Sequence, residues 1–168
     1  EKILQAEVYE VAKKTPLEKA HNLSNTLNNE VFLKREDLQD VFSFKVRGAY
    51  NKMSKLTNSQ LSQGVITSSA GNHAQGVALS ALKLNCQATI LMPITTPLVK
   101  VNAVKKLKAK VILFGDNYDE TYKEAIRISK ERNLCFIHPF DDPDVIAGQG
   151  TIAIELEQQL KEKPYAIY

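Results

Sequence analysis

Four short runs of aliphatic and β-branched residues punctuate the chain: Val65-Ile66-Thr67, Ala88-Thr89-Ile90-Leu91-Met92, Val111-Ile112-Leu113 and Cys135-Phe136-Ile137. Their starts lie 23, 23 and 24 residues apart (65 to 88, 88 to 111, 111 to 135). That spacing suits one strand and one helix per unit. Parallel strands need long crossovers, so the pattern predicts an α/β fold, an open parallel sheet with flanking helices and right-handed connections.

Between the runs the period changes to that of a helix. Ala74, Val77, Ala78, Ala81 and Leu82 fall at i, i+3, i+4, i+7 and i+8, an apolar stripe. Thr96-Pro97 predicts a cap with proline at the first helical position, followed by Leu98, Val101 and Val104 facing inward. Asp116 or Asn117 can cap a helix running to about Arg132. Thr57-Asn58-Ser59-Gln60 fits a capping box, and Gly64 stops that short helix before the first run. Val31-Phe32-Leu33-Lys34 reads as a further strand, and a last helix spans about Pro143 to Lys161. Pro164-Tyr165-Ala166-Ile167-Tyr168 reads as the start of another strand, so the chain is expected to stop within a domain.

Composition narrows the class. At 168 residues one domain is expected, with a second if shared. Hydrophobic residues make up 43% and charged residues 24%, which excludes disorder and supplies a core. The 22 basic and 19 acidic side chains leave a net charge of +3, too small to predict a nucleic-acid or membrane surface. No stretch reaches about 18 uninterrupted apolar residues, so no transmembrane helix is expected. Glu1-Lys2-Ile3-Leu4 is no apolar signal segment, and the missing initiator Met suggests a trimmed chain. The two cysteines, Cys86 and Cys135, exclude a disulfide scaffold and a cysteine-rich metal site. A cytoplasmic, reducing environment fits them best.

Three segments break the regular pattern. In Ser43-Phe44-Lys45-Val46-Arg47-Gly48-Ala49, Ser43 can cap a helix whose apolar face is Val46, Ala49, Tyr50 and Met53. Lys45 sits at the positive end of that helix, where a cation is disfavoured by about 0.3–1 kcal/mol. Gly48, on the same side, costs about 1 kcal/mol relative to alanine. Lys45 reads either as a solvated lysine beside a packing glycine or as an amine kept neutral, as Schiff-base chemistry requires.

The second segment is Thr67-Ser68-Ser69-Ala70-Gly71-Asn72-His73-Ala74-Gln75-Gly76, at a strand-to-helix turn. Ligands of parallel sheets bind there, and helix-start amides favour an anion. Its glycines match no nucleotide fingerprint. A plain helix cap with a solvated His73 is the other reading.

In the third segment, Asp141, Asp142 and Asp144 precede Gly148 and Gly150. A cap and dipole complement is favoured there over a metal site. Lys105, Lys106, Lys108 and Lys110 read as a solvated helix end. His21 and His138 have no metal-ligand spacing, so no metal is expected.

Four stretches in order, Lys34 to Gln39, Ser43 to Tyr50, Ser68 to Gly76 and Ile146 to Thr151, resemble the threonine dehydratase (threonine deaminase) family of fold type II pyridoxal-phosphate (PLP) enzymes. The match runs from about Val8 to Tyr168. The resemblance implies a PLP-dependent ammonia-lyase acting on L-threonine, and less well on L-serine. Lys45 would carry the cofactor covalently, Phe44 would pack against it, and Asn72 would contact its ring oxygen. Ser69, Gly71, Asn72 and His73 would receive the substrate carboxylate.

Residues 1–45 would begin a larger domain, 46–145 would form the smaller one, and 146–168 would return to the larger. A glycine-rich phosphate loop is expected beyond Tyr168, so the chain would be an N-terminal piece, inactive alone. A homo-oligomer, dimer or tetramer, is implied.

Serine racemases resemble the chain too, but place a serine where Ala70 stands. A racemase, or another fold type II elimination or replacement enzyme, is therefore the alternative within the family. A flavodoxin-like binding domain would share the βα spacing and leave Lys45 without a role.

Overall fold

The computed structural model describes residues 1–168. Its elements are β1 (Leu17–Lys19), α1 (His21–Leu27), β2 (Phe32–Lys34), α2 (Lys45–Met53), α3 (Asn58–Gln63), β3 (Val65–Ser68) and α4 (Asn72–Lys83). They continue with β4 (Ala88–Met92), α5 (Leu98–Lys106), β5 (Lys110–Leu113), α6 (Tyr118–Arg132), β6 (Cys135–Phe136) and α7 (Pro143–Gln159).

The four sequence runs form one parallel sheet in the order β5-β4-β3-β6. The chain proceeds outward from β3 to β5, then crosses back to place β6 on the other side of β3. The strand order therefore reverses at β3, and the crevice beyond its carboxyl end is the ligand position of such sheets.

All four residues of β3 are buried. Val65 packs with Ala49, Met53, Ala74 and Val77 on one face. Ile66 packs with Leu91, Ala125 and Ile128 on the other. Helices cover both sides, so a continuous apolar run rather than an alternating one is what the strand requires.

Several caps are as the residues dictate. The Thr57 hydroxyl accepts from Gln60 N–H at 3.2 Å while Gln60 Oε1 accepts from Thr57 N–H at 2.9 Å. Asn117, not Asp116, caps α6, accepting from Glu120 N–H at 3.0 Å. Asp142 Oδ1 accepts from Asp144 and Val145 N–H ahead of α7, with Pro143 in the first turn.

Other expectations need correction. Thr96 is no cap: the Pro97 carbonyl opens α5, accepting from Lys100 and Val101 N–H, and Pro97 itself stands outside the helix. The expected strand at Val31 begins at Phe32 and pairs antiparallel with β1, three residues whose mostly exposed pattern carried no signal. α7 ends at Gln159 because Leu160 turns extended (ψ 134°). Pro164 to Tyr168 forms no strand; it has no partner to pair with, and Tyr165 and Tyr168 stand fully exposed. No helix is long and apolar enough to cross a membrane.

Candidate active site

Helix α2 starts at Lys45 itself, with Phe44 at the cap position and the Ser43 hydroxyl accepting from Lys45 N–H at 3.3 Å. The predicted apolar face is right: Val46, Ala49, Tyr50 and Met53 are all buried. Lys45 is half-buried, and its Nζ donates to the Pro139 carbonyl at 2.9 Å and lies 5.5 Å from the Phe44 ring centroid. Burial lowers its pKa. Of the two readings of Lys45, the structure therefore supports a sheltered amine, held by a neutral acceptor.

The second segment lies where β3 ends. Ser69 N–H still bonds Leu91 O at 3.0 Å, and the Ser69 hydroxyl accepts from Gly71 N–H at 3.2 Å. Gly71 occupies the cap position of α4 and offers no side chain to the first-turn amides. A methyl at Gly71 would meet nothing within 4 Å, so the loop face is open. Exposed Asn72 opens α4, one turn ahead of Gly76 and on the same side. A methyl on Gly76 would lie 3.1 Å from the Lys45 carbonyl. The start of α4 is thus packed onto the start of α2, close enough for the Lys45 charge to act on His73 in the first turn of α4.

His73 departs from the solvated reading. It is 3% exposed, and its Nε2 is paired with the Ile137 carbonyl at 3.1 Å. Only a protonated Nε2 satisfies that acceptor, which leaves Nδ1 as a buried acceptor without a partner. Burial pushes the imidazole down to about 4, with the charges of Lys45 and His138 acting the same way and the Ile137 hydrogen bond opposing. Thr67 Oγ1 donates to the same carbonyl at 2.8 Å. His73 is therefore a neutral strut beneath the loop; what it offers the loop face is its backbone N–H.

Two features escaped the sequence reading. Arg47 is fully buried. Its guanidinium donates to Glu36 at 2.8 and 2.9 Å, to Glu155 at 2.6 Å, to Thr151 Oγ1 at 3.0 Å and to Lys13 O at 3.0 Å. Lys34 Nζ and Tyr9 OH also donate to Glu155, at 2.5 and 2.9 Å. Burial works to raise the Glu155 carboxyl, but these donors outweigh it and hold it below its usual range. The second is Gln149, whose Oε1 accepts from Gly48 N–H at 3.1 Å. An arginine inside an apolar helix face was the available signal for the first; the second had none.

A sheltered primary amine suits a ligand with an aldehyde. The open loop and the free amides of α4 suit anionic groups beside it. An α/β domain with a partly sheltered lysine and an open helix start beyond its switch strand has the features of a cofactor-dependent enzyme domain. The chain belongs to the pyridoxal-phosphate dependent enzyme family, whose model matches residues 8–168, and its cofactor is pyridoxal 5'-phosphate.

Among curated relatives, threonine dehydratase 1, biosynthetic and chloroplastic, of Solanum lycopersicum is 57% identical over 99% of this chain. A biosynthetic L-threonine dehydratase of Burkholderia multivorans is 55% identical over 99% of it. The chain spans 27% and 34% of their lengths, respectively. Among solved structures, the processed form of threonine deaminase isoform 2 from Solanum lycopersicum superposes with a TM-score of 0.92 at 54% identity, covering 95% of this chain and 44% of that one. Maize serine racemase superposes at 0.91 with 32% identity, covering 96% and 50%.

Proposed function

We propose that the whole protein is a PLP-dependent ammonia-lyase that converts L-threonine, and less well L-serine, to 2-oxobutanoate or pyruvate and ammonia. The observation that carries this reading is the packing of α4 onto the start of α2, which sets the helix of Lys45, a partly sheltered amine with lowered pKa, against the helix that opens at Gly71-Asn72. The relatives' names supply the substrate.

When bound, PLP supplies the electron sink for the carbanion that forms at the substrate Cα. Lys45 is the residue that would hold it, with Phe44 against it and Asn72 at its ring oxygen. Ser69, Gly71, Asn72 and the first amides of α4 bind the substrate carboxylate and turn the Cα–H toward the amine. His73 supports that loop from beneath. Once released by the incoming substrate amine, Lys45 Nζ would be free to take the Cα proton; a positioned base of this kind is worth about 10²–10⁴ in rate. The Pro139 carbonyl gives the amine a neutral resting contact, which leaves its basicity unmatched by any carboxylate.

Ala70 supplies no hydroxyl on the loop, so no second base faces the Cα from that position. This favours elimination over racemisation. The free thiols Cys86 and Cys135 support a reducing, cytoplasmic setting, and the assembly is proposed to be a homo-oligomer.

The test is an assay of the whole protein with L-threonine, following 2-oxobutanoate, ammonia and, with serine, D-serine. Equal yields of keto acid and ammonia without D-serine are expected. D-serine formation without keto acid would replace this reading with the racemase.

A further inference from the structure

Gln149 reaches from α7 into the first turn of the helix that carries Lys45. Gly48 follows Lys45 by three residues, so the two share a side of α2. In a regular helix the Gly48 N–H would bond the Phe44 carbonyl. Here Arg47 N–H takes that carbonyl at 3.0 Å, and Gly48 N–H turns to Gln149 Oε1 at 3.1 Å.

The space needed for this is built in. A methyl at Gly48 would lie 2.5 Å from Gln149 Nε2 and 2.6 Å from Val145 O. The carboxamide therefore occupies the place of a missing side chain. The neighbouring Gly148 closes the same seam: a methyl there would lie 2.6 Å from Arg47 O and 2.7 Å from the Gly48 Cα. Gln149 Nε2 is itself buried without a hydrogen-bond partner. A buried amide that leaves its donor unmatched carries a desolvation cost. An apolar side chain would avoid that cost, so packing alone does not account for glutamine here. The acceptor does.

We propose that Gln149 is a positioning residue for Lys45. By holding the Gly48 amide it sets the pitch of the first turn of α2, and with it the direction in which the Lys45 side chain leaves the helix. This rests on Lys45 being the cofactor-bearing lysine, as read above. It concerns the amine and not the reaction that follows.

The test compares Gln149→Met, which keeps length and loses the acceptor, with Gln149→Glu, which keeps an acceptor oxygen. Both are made in the whole protein. Stripped of cofactor, each variant is reductively methylated and labelling of Lys45 is followed by peptide mass spectrometry. After PLP is restored, visible circular dichroism reports the setting of the cofactor on the lysine. Gln149→Met is expected to change the Lys45 labelling rate several-fold and to weaken the visible band, while Gln149→Glu stays close to the parent on both.

Parent-like labelling and dichroism in Gln149→Met would overturn the proposal. So would a Gln149→Glu variant as perturbed as Gln149→Met, because the acceptor would then be irrelevant. If Gln149→Met fails to fold, Gln149→Asn, an amide too short to reach, decides by the same two readings. A parent enzyme that shows no visible band would instead sink the reading of Lys45. A parent with the band but no 2-oxobutanoate would sink only the reaction.

Discussion

Gly76 and Lys45 meet backbone to backbone, with 3.1 Å between the place of a methyl on Gly76 and the carbonyl carbon and oxygen of Lys45. Alanine gains about 1 kcal/mol over glycine in a helix. Overpacking costs typically about 1–3 kcal/mol, and a facing backbone has no rotamer to yield. The cost wins, so Gly76→Ala is expected to destabilise the whole protein by roughly 1 kcal/mol and to weaken PLP binding. Gly148→Ala, whose methyl would press on the Arg47 carbonyl at 2.6 Å, is expected to be the worse of the two. Thermal melting and PLP titration check both, and the reverse ranking would show that the α2–α7 seam is the looser one.

Removing Arg47 leaves Glu36 and Glu155 facing each other without their shared donor. Breaking a buried pair in this way costs about 3–5 kcal/mol. Arg127, paired with Glu124 and Glu131 on the exposed side of α6, is the control; its removal is expected to leave the unfolding midpoint nearly unchanged. Urea denaturation of Arg47→Met and Arg127→Ala should separate the two by several kcal/mol. Equal midpoints would mean that the network around Arg47 holds nothing together.

His73 gives the fold a pH dependence of definite sign. Its folded value of about 4 lies below the ordinary 6.5. Between these values the unfolded chain binds a proton that the native chain does not. Stability from this residue is therefore complete above about pH 6.5 and is lost as the pH falls toward 4, to the extent of roughly 3 kcal/mol. The difference in unfolding free energy between parent and His73→Asn, measured from pH 7 to pH 4, should shrink along that window. A constant difference would assign His73 a purely steric role.

Lys45→Ala removes both the amine and its contact with Pro139. Turnover of L-threonine is expected to fall to background and the visible band of the lysine-bound cofactor to vanish. The fold should survive, because Lys45 lies outside the apolar cores. A variant that keeps the band would move cofactor attachment to another residue.

The sheet was legible because β3 and β4 are wholly buried and the aliphatic runs, opening at Val65, Ala88, Val111 and Cys135, recur at nearly constant intervals. Lys45 and the Ser69–His73 loop were legible because they violate helix and strand preferences locally. β1 was not, since Leu17-Glu18-Lys19 is short and mostly exposed, and only pairing with β2 makes it a strand. Tyr165 to Tyr168 had the composition of a strand without a partner strand to bond. Asp142 read correctly as a cap. Gln149 was invisible for a different reason: its role depends on Gly48, 101 residues away in sequence, and no local pattern reports such a contact.

The bond between Arg47 and Glu155 joins positions 108 residues apart. During synthesis the segment that holds Arg47 and Glu36 leaves the ribosome long before its second counter-charge exists. Until residue 155 emerges, Arg47 has only Glu36 as a charged partner and α2 has no α7 to lie against. Lys45 is thus made more than a hundred residues before the last of the contacts described here that fix its helix.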